Sequence, residues 1–132
     1  MTAALKLYLL VGLGSAIGGM GRFWISTMMA RQFGDGFPLG TLLANVSGCL
    51  LIGVAAAFTL ENGKFQISSP IQHFLMIGLL GGYTTFSSFS LQTLNLAKNG
   101  GLAMAGLNVA LSVVLCLISV WLGMTAGAAM NR

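Results

Sequence analysis

The sequence predicts an all-α membrane protein in which each chain has four transmembrane helices and the third helix is broken near its middle. The first observation is composition: 56% of the 132 residues are hydrophobic and only 6% are charged, whereas a soluble domain has about 25% charged residues. The second is that the apolar residues fall into four long stretches separated by short polar turns. The third is a glycine pair followed by a run of hydroxyl residues inside the third stretch. Together they indicate an integral membrane protein with one interrupted span.

The four apolar stretches define a single membrane domain over residues 1–132, with predicted spans at 4–31, 39–60, 70–97 and 102–128. Each stretch can cross the hydrocarbon core, which needs about 20 apolar residues. Pro70 suits the first turn of the third span. Because the connections are short, consecutive helices are expected to run antiparallel, with both termini on one side of the membrane.

The distribution of basic residues bears on orientation in the bilayer. Lys6, Lys64 and Arg132 fall on the terminal side, and Arg31 and Lys98 fall on the opposite side. Orientation follows an excess of Lys and Arg on the cytoplasmic side. A three-to-two split specifies almost no orientation. It makes insertion in both directions available, and with it an antiparallel, dual-topology homodimer.

Several neutral polar residues lie inside the predicted spans, where each needs a partner. They are Asn45 in the second span, Thr85, Ser88, Gln92 and Asn95 at 3-4-3 spacing in the third, and Asn108 and Ser112 in the fourth. Interhelical hydrogen bonds are one explanation for any single residue. The whole set favours a second explanation, an anion-binding site. The predicted spans contain neutral donors and no carboxylate side chain, since Asp35 and Glu61 fall in predicted loops. Neutral donors can bind an anion without trapping it behind a full opposite charge.

In the segment Gly81–Ser90, the glycine pair Gly81 and Gly82 is predicted to open a helix break, and two phenylalanines at i and i+3, Phe86 and Phe89, follow it. Broken helices are a recurrent way to build ion sites in membranes. The edge of a phenyl ring is weakly positive, so the pair could receive a small anion edge-on. Such a pair is more often plain packing, but the neighbouring hydroxyls favour the ion site.

Other polar and reactive residues lead to weaker expectations. Arg22, the charge inside the first span, either snorkels to the interface or stands at the mouth of an aqueous vestibule, where it would concentrate anions. The two cysteines, Cys49 and Cys116, are expected to be packed apolar side chains, since their spacing is not that of a metal site. His73 is expected to be interfacial with no special role.

Two classes of function are poorly supported. No set of nucleophile, base and orienting acid can be assembled, so the chain is not expected to be an enzyme. The net charge of +4 comes from scattered residues, so no nucleic-acid partner is expected, and the lipid bilayer explains the composition.

Three pieces of sequence resemble the small bacterial fluoride channel family (the CrcB or Fluc proteins). They are Gly18–Phe23, Pro38–Thr41 with Asn45 and Gly48, and Gly78 with Gly81–Ser90. The resemblance covers essentially the whole chain. It implies a multi-pass protein of the bacterial inner membrane that forms an antiparallel homodimer and passively exports fluoride from the cytoplasm, lowering its toxicity.

The resemblance also implies functional residues. A structural sodium ion at the dimer interface would bind the main-chain carbonyls of Gly81 and Thr84. The expected fluoride pore is lined by Phe86, Phe89, Asn45, Thr85, Ser88, Ser112 and Asn108, with Arg22 at the vestibule. Two positions depart from the family pattern: Ser88 replaces a commoner threonine and keeps the hydroxyl, and Gln92 stands where many members have glutamate. A role built on negative charge at that position does not transfer.

The alternative function is a small four-span, proton-coupled multidrug exporter. Such an exporter needs a membrane-embedded carboxylate, and the predicted spans contain none. A third interpretation, an accessory membrane subunit without a pore, explains the small-residue pairs Gly14/Gly18 and Gly123/Gly127 but not the clustered hydroxyls.

Overall fold

The computed structural model describes residues 2–60 and 63–132, and this part of the chain is helical throughout, apart from its connections. The four long helices are α1 (Ala3–Phe33), α2 (Leu39–Ala57), α3 (Ser69–Lys98) and α4 (Leu102–Met130). All four are long and apolar enough to cross a membrane, which confirms the four predicted helices. Glu61, part of the predicted break after the second span, lies outside the described residues.

Helix α2 is shorter than its predicted span, which extends to residue 60. The chain leaves the helix at Ala57 and turns, with the amide of Phe58 donating to the Ala55 carbonyl and that of Thr59 donating to the Ala56 carbonyl. The segment after this turn is held by Asn131, which is 3% exposed. The Asn131 side chain accepts from the amide of Phe65 at 2.7 Å and donates to the Ala57 carbonyl at 3.0 Å.

Helix α3 is interrupted, as predicted, and the interruption divides it into α3a (residues 69–83) and α3b (Phe86–Lys98). Segment α3a contains a π-helical stretch, His73–Leu80, followed by a short α-helical turn, Gly81–Tyr83. Thr84 and Thr85 are extended, with φ/ψ of −84°/159° and −156°/120°. They separate the two segments.

The position of this interruption corrects one expectation from the sequence. The glycine pair is predicted to open the break, but Gly81 is helical, with φ −64° and ψ −37°. The pair instead permits close packing: a Cβ on Gly82 would lie 2.6 Å from the Ser15 carbonyl oxygen of α1. The break falls at Thr84 and Thr85, directly after the short helical turn.

Helix α1 packs in parallel against α3a through glycines on both helices. A Cβ on Gly14 would lie 2.6 Å from the Phe74 carbonyl oxygen, and a Cβ on Gly18 would overlap the Leu79 carbonyl oxygen. Neither position has room for a side chain, because the two helices meet backbone to backbone. The Gly14/Gly18 pair therefore serves tight packing, as its spacing predicts.

Helices α2 and α4 form a second parallel pair. Gly123 lies against the Leu50 carbonyl, and Gly127 lies one turn further on, where a Cβ would be 2.8 Å from the Val54 carbonyl oxygen. Gly53 makes the reciprocal contact, against the Val120 carbonyl. The contact positions advance together along both helices, which fixes their register and direction.

Large apolar side chains lie on the outside of the protein. Tyr8 is 76% exposed, Phe23 74% and Trp121 65%, whereas the fully buried Ala44 and Ala57 are small. Monomeric soluble proteins rarely expose contiguous apolar surface on this scale. Small residues inside and large apolar residues outside are typical of helices that pack tightly within lipid.

Candidate functional site

Asn45 holds the break in α3 from the side of α2. Its Oδ1 accepts a hydrogen bond from the amide of Thr85 at 2.7 Å, and its Nδ2 donates to the Thr85 carbonyl at 3.0 Å. One amide side chain therefore satisfies both backbone groups of an extended residue at membrane depth, where water is not available to do so. The sequence predicts Asn45 at the pore, and the structure adds this positioning contact.

At the break, two backbone amides form hydrogen bonds that differ from those of a continuous α-helix. In a continuous α-helix, the amides of Thr85 and Ser88 would donate to the carbonyls of Gly81 and Thr84, four residues earlier. Instead, Thr85 donates to Asn45, and Ser88 donates to the Thr85 hydroxyl at 3.2 Å, capping α3b. These are the two carbonyls that the resemblance to the fluoride channel family singles out for sodium.

Two further side chains secure the segment before the break. Arg22 of α1 donates from Nε to the Gly82 carbonyl at 3.3 Å, and the hydroxyls of Ser47 and Tyr83 are hydrogen-bonded at 3.0 Å. Arg22 thus connects α1 to the interrupted helix. The sequence does not predict the Ser47–Tyr83 pair, because nothing local in either segment marks residues 36 positions apart as neighbours.

A cavity of about 380 Å³ lies beside the break, between α2, the start of α3b and α4. Five of the seven predicted pore residues line it: Asn45, Thr85, Phe86, Phe89 and Ser112. The two phenyl rings are tilted by 50° with centroids 5.3 Å apart. Phe89 is 8% exposed and anchors the pair, whereas Phe86 is 77% exposed in the single chain.

The other two predicted pore residues lie differently. Ser88 stands next to the cavity and accepts a hydrogen bond from the Thr85 hydroxyl at 3.2 Å. Asn108 is 2% exposed and donates to the Thr93 hydroxyl at 2.8 Å, which ties α4 to α3b. The structure therefore gives Asn108 a packing contact away from the cavity.

A polar cavity of about 270 Å³ lies further along α3b, towards the α1–α2 connection. Its lining includes Ser26, Asp35, Thr41, Gln92 and Asn95. The Oε1 of Gln92 is buried there with no hydrogen-bond partner among the described residues. The predicted polar stripe on the third span thus runs from the break to this cavity, whereas the contribution of buried Thr41 is not predicted from the sequence.

His73 joins no cluster of polar or metal-binding side chains in the described ranges. The Nδ1 of His73 contacts the Ser69 carbonyl at 2.7 Å, within its own helix. Within residues 2–60 and 63–132, no three His, Cys, Asp or Glu side chains are grouped so that they could hold a metal ion.

The fold and the site together define a small four-span membrane protein with a discontinuous helix and neutral hydrogen-bond donors at membrane depth. The family described as "CrcB-like protein, Camphor Resistance (CrcB)" matches residues 9–124, and the chain therefore belongs to this family.

Curated relatives align with nearly the full chain. A protein of Methylocella silvestris is 52% identical over 95% of this chain and 95% of its own length. One of Opitutus terrae is 49% identical over 96% of both chains, and one of Paramagnetospirillum magneticum is 50% identical over 95% and 98%. All three are named fluoride-specific ion channel FluC.

Proposed function

We propose that this chain is a fluoride-specific ion channel of the bacterial inner membrane that passively exports fluoride from the cytoplasm and so lowers its toxicity. The observation that carries the proposal is the cavity in which Phe86 and Phe89 meet the neutral polar groups of Asn45, Thr85 and Ser112. The names of the relatives support the same ion. The multidrug exporter is not supported, because no Asp or Glu lies within the four helices.

The chemistry of the cavity suits a small anion. Fluoride must exchange its water for other hydrogen-bond donors, and hydroxyl and amide groups supply them without the deep electrostatic trap of a buried cation. The edges of the phenyl rings add weak positive potential. The polar cavity around Gln92 would hydrate the ion at one end of the path, with Arg22 raising the positive potential nearby.

The central test is ion efflux from liposomes that contain the purified protein. Vesicles loaded with potassium fluoride should release fluoride when valinomycin permits a compensating potassium flow, as a fluoride electrode detects. Vesicles loaded with chloride, followed with a chloride electrode, provide the selectivity control and should retain their chloride. Release of both ions at equal rates, or of neither ion, would contradict a fluoride-specific channel.

We further propose that the functional unit is an antiparallel, dual-topology homodimer. The near balance of basic residues supports insertion in both directions, and the 77% exposure of Phe86 leaves a predicted pore residue for a second chain to cover. Isologous pairing of two oppositely inserted copies would cover the same surface on both.

Dual insertion predicts that each loop is reachable from both faces of the membrane. In a Cys49→Ala/Cys116→Ala background, Lys64→Cys and Asn99→Cys should each react with an impermeant maleimide in right-side-out and in inverted vesicles. A permeant maleimide gives the total labelling. Strict labelling of either position from one face alone would rule out dual topology. Two lysines added to one loop should impose one orientation and abolish efflux.

We also propose a structural sodium ion at the dimer interface, bound by the main-chain carbonyls of Gly81 and Thr84. Their helical amide partners bond elsewhere, and Gly81 is exposed on the surface of the single chain. A second copy would supply the same two carbonyls. Oxygen ligands without a carboxylate suit a monovalent hard cation better than magnesium. The ion would offset the repulsion between the carbonyl dipoles.

Removal of sodium is accordingly expected to lower the melting temperature of the purified protein and to reduce fluoride efflux. Both are measured after exchange into N-methylglucamine, with lithium and potassium as size controls and sodium add-back as the reversal. An unchanged melting temperature and unchanged efflux after exhaustive exchange would refute the sodium site without affecting the proposed transport of fluoride.

A further inference from the structure

The structure brings together two cysteines that are far apart in the sequence. Cys49 of α2 and Cys116 of α4 lie one helical turn before Gly53 and Val120, which are in backbone contact across the parallel α2–α4 pair. The same register places the two thiols at neighbouring positions on the facing helices, and both line one cavity. Neither is fully buried, and neither forms a disulfide.

Both thiols border the cavity that contains Phe86 and Phe89. Cys49 follows Asn45 by one helical turn on α2, and Cys116 follows Ser112 by one turn on α4. The thiols therefore stand next to the neutral donors, on the apolar part of the cavity wall. The proposed fluoride path does not use them.

Two adjacent thiols have a specific metal preference. Thiolate sulfur is a soft ligand that selects soft metal ions. A zinc ion would require four ligands, and no larger group of metal-binding side chains occurs in the described part of the chain. A metal ion with linear two-coordinate geometry, such as Hg²⁺, needs only these two sulfur ligands.

We propose that Cys49 and Cys116 form a two-thiolate site for a soft, two-coordinate metal ion such as Hg²⁺ at the wall of this cavity. In the binding step with HgCl₂, two S–H bonds and two Hg–Cl bonds break, two S–Hg bonds form, two chloride ions leave, and both protons pass to water. The product carries no net charge, which suits apolar surroundings where a charged complex would be costly. No oxidant or reductant is required.

Occupancy of the site would affect the cavity. A mercury bridge would pin α2 to α4 beside Phe86 and Phe89 and place a large atom at the cavity wall. If the chain conducts fluoride as proposed above, the bridge is expected to block efflux. This consequence depends on the proposed function, whereas the metal site itself does not.

The binding test uses the full-length protein treated with HgCl₂ and then washed with an excess of a monothiol, which removes mercury held by one sulfur. Intact-mass spectrometry of the wild-type chain should show one added mercury and the loss of two hydrogens. Cys49→Ser and Cys116→Ser should each retain none after the wash, and Cys49→Ala and Cys116→Ala provide a second pair of variants. Two mercury atoms per chain, none, or equal retention by the single variants would overturn the site.

The transport test compares the ratio of fluoride efflux rates with and without HgCl₂ in each protein. Wild-type efflux should fall to the background of empty vesicles, and the Cys49→Ser/Cys116→Ser double variant should keep a ratio near one. Equal inhibition of the double variant would refute the block at this site. Mercury retention in a protein without fluoride efflux would instead uphold the metal site and contradict the proposed function.

Discussion

Replacing Phe86 by isoleucine is expected to slow fluoride efflux by about tenfold or more, which corresponds to at least about 1.4 kcal/mol in the barrier. Isoleucine keeps most of the apolar volume but has no aromatic edge to present to an anion. Because Phe86 is 77% exposed, its ring contributes little to the packing of the single chain. In the proposed dimer a second chain covers this ring, but isoleucine keeps most of the apolar volume, so the expected result is a loss of efflux with only a small fall in the melting temperature.

The same substitution at Phe89 is expected to affect both the stability of the chain and fluoride efflux. Its ring is 8% exposed, so Phe89→Ile should slow efflux and also lower the free energy of unfolding by about 1–3 kcal/mol. Phe33→Ile is the matched control, since Phe33 is 61% exposed at the end of α1, away from the cavity. Efflux rates of Phe86→Ile and Phe33→Ile that do not differ would remove the phenylalanine pair from the mechanism.

The second large effect is expected from Asn45→Leu. Leucine has a similar volume but can neither accept from the amide of Thr85 nor donate to its carbonyl. Each backbone group left without a partner costs about 1–3 kcal/mol when buried. The Thr85 amide would also become free to bond the Gly81 carbonyl, which favours closing the break. We therefore expect both a lower melting temperature and efflux near background.

Two variants make this prediction specific to the break. Asn45→Asp keeps an acceptor for the Thr85 amide but turns a second oxygen towards the Thr85 carbonyl, so it should also lose efflux. Asn108→Leu removes a different buried contact, the bond to the Thr93 hydroxyl. It should lower the melting temperature while leaving most of the efflux of the surviving protein. Equal loss of efflux in Asn108→Leu and Asn45→Leu would show that the loss of any buried hydrogen bond abolishes efflux, whether or not it lies at the break.

The helices and the existence of an interruption could be predicted because they follow from local composition. Apolar length and the scarcity of charge identify the spans, and a hydroxyl run after a glycine pair identifies the interrupted helix. The location of the break could not be read locally. Gly81 and Gly82 are permissive in either conformation, and the decisive hydrogen bonds come from Asn45, 40 residues away from Thr85.

In the candidate site too, the local sequence predicts some of the neighbouring residues, whereas others depend on contacts between helices. Spacing along one helix correctly groups Thr85, Phe86 and Phe89, which are local to α3b and the residue that caps it. Spacing along α4 could not distinguish Ser112, which lines the cavity, from Asn108, which lies one turn earlier and is hydrogen-bonded to Thr93. That difference depends on which neighbour each face of α4 meets. The adjacency of Cys49 and Cys116 likewise follows from the register of two helices that are not consecutive.

The pairing of α1 with α3a and of α2 with α4 has a consequence for biogenesis. The nascent chain delivers its helices in order, yet the glycine-lined face of α1 finds its partner only after residues 74–83 have emerged. The face of α2 that contains Gly53 has no packing partner until the last helix, α4, has been synthesised. An early hairpin of α1 and α2 therefore lacks its tightest contacts, and assembly is completed only when the C-terminal helix enters the bilayer. A translation product truncated before α3 would leave the glycine-lined faces of both α1 and α2 exposed to lipid or to other chains.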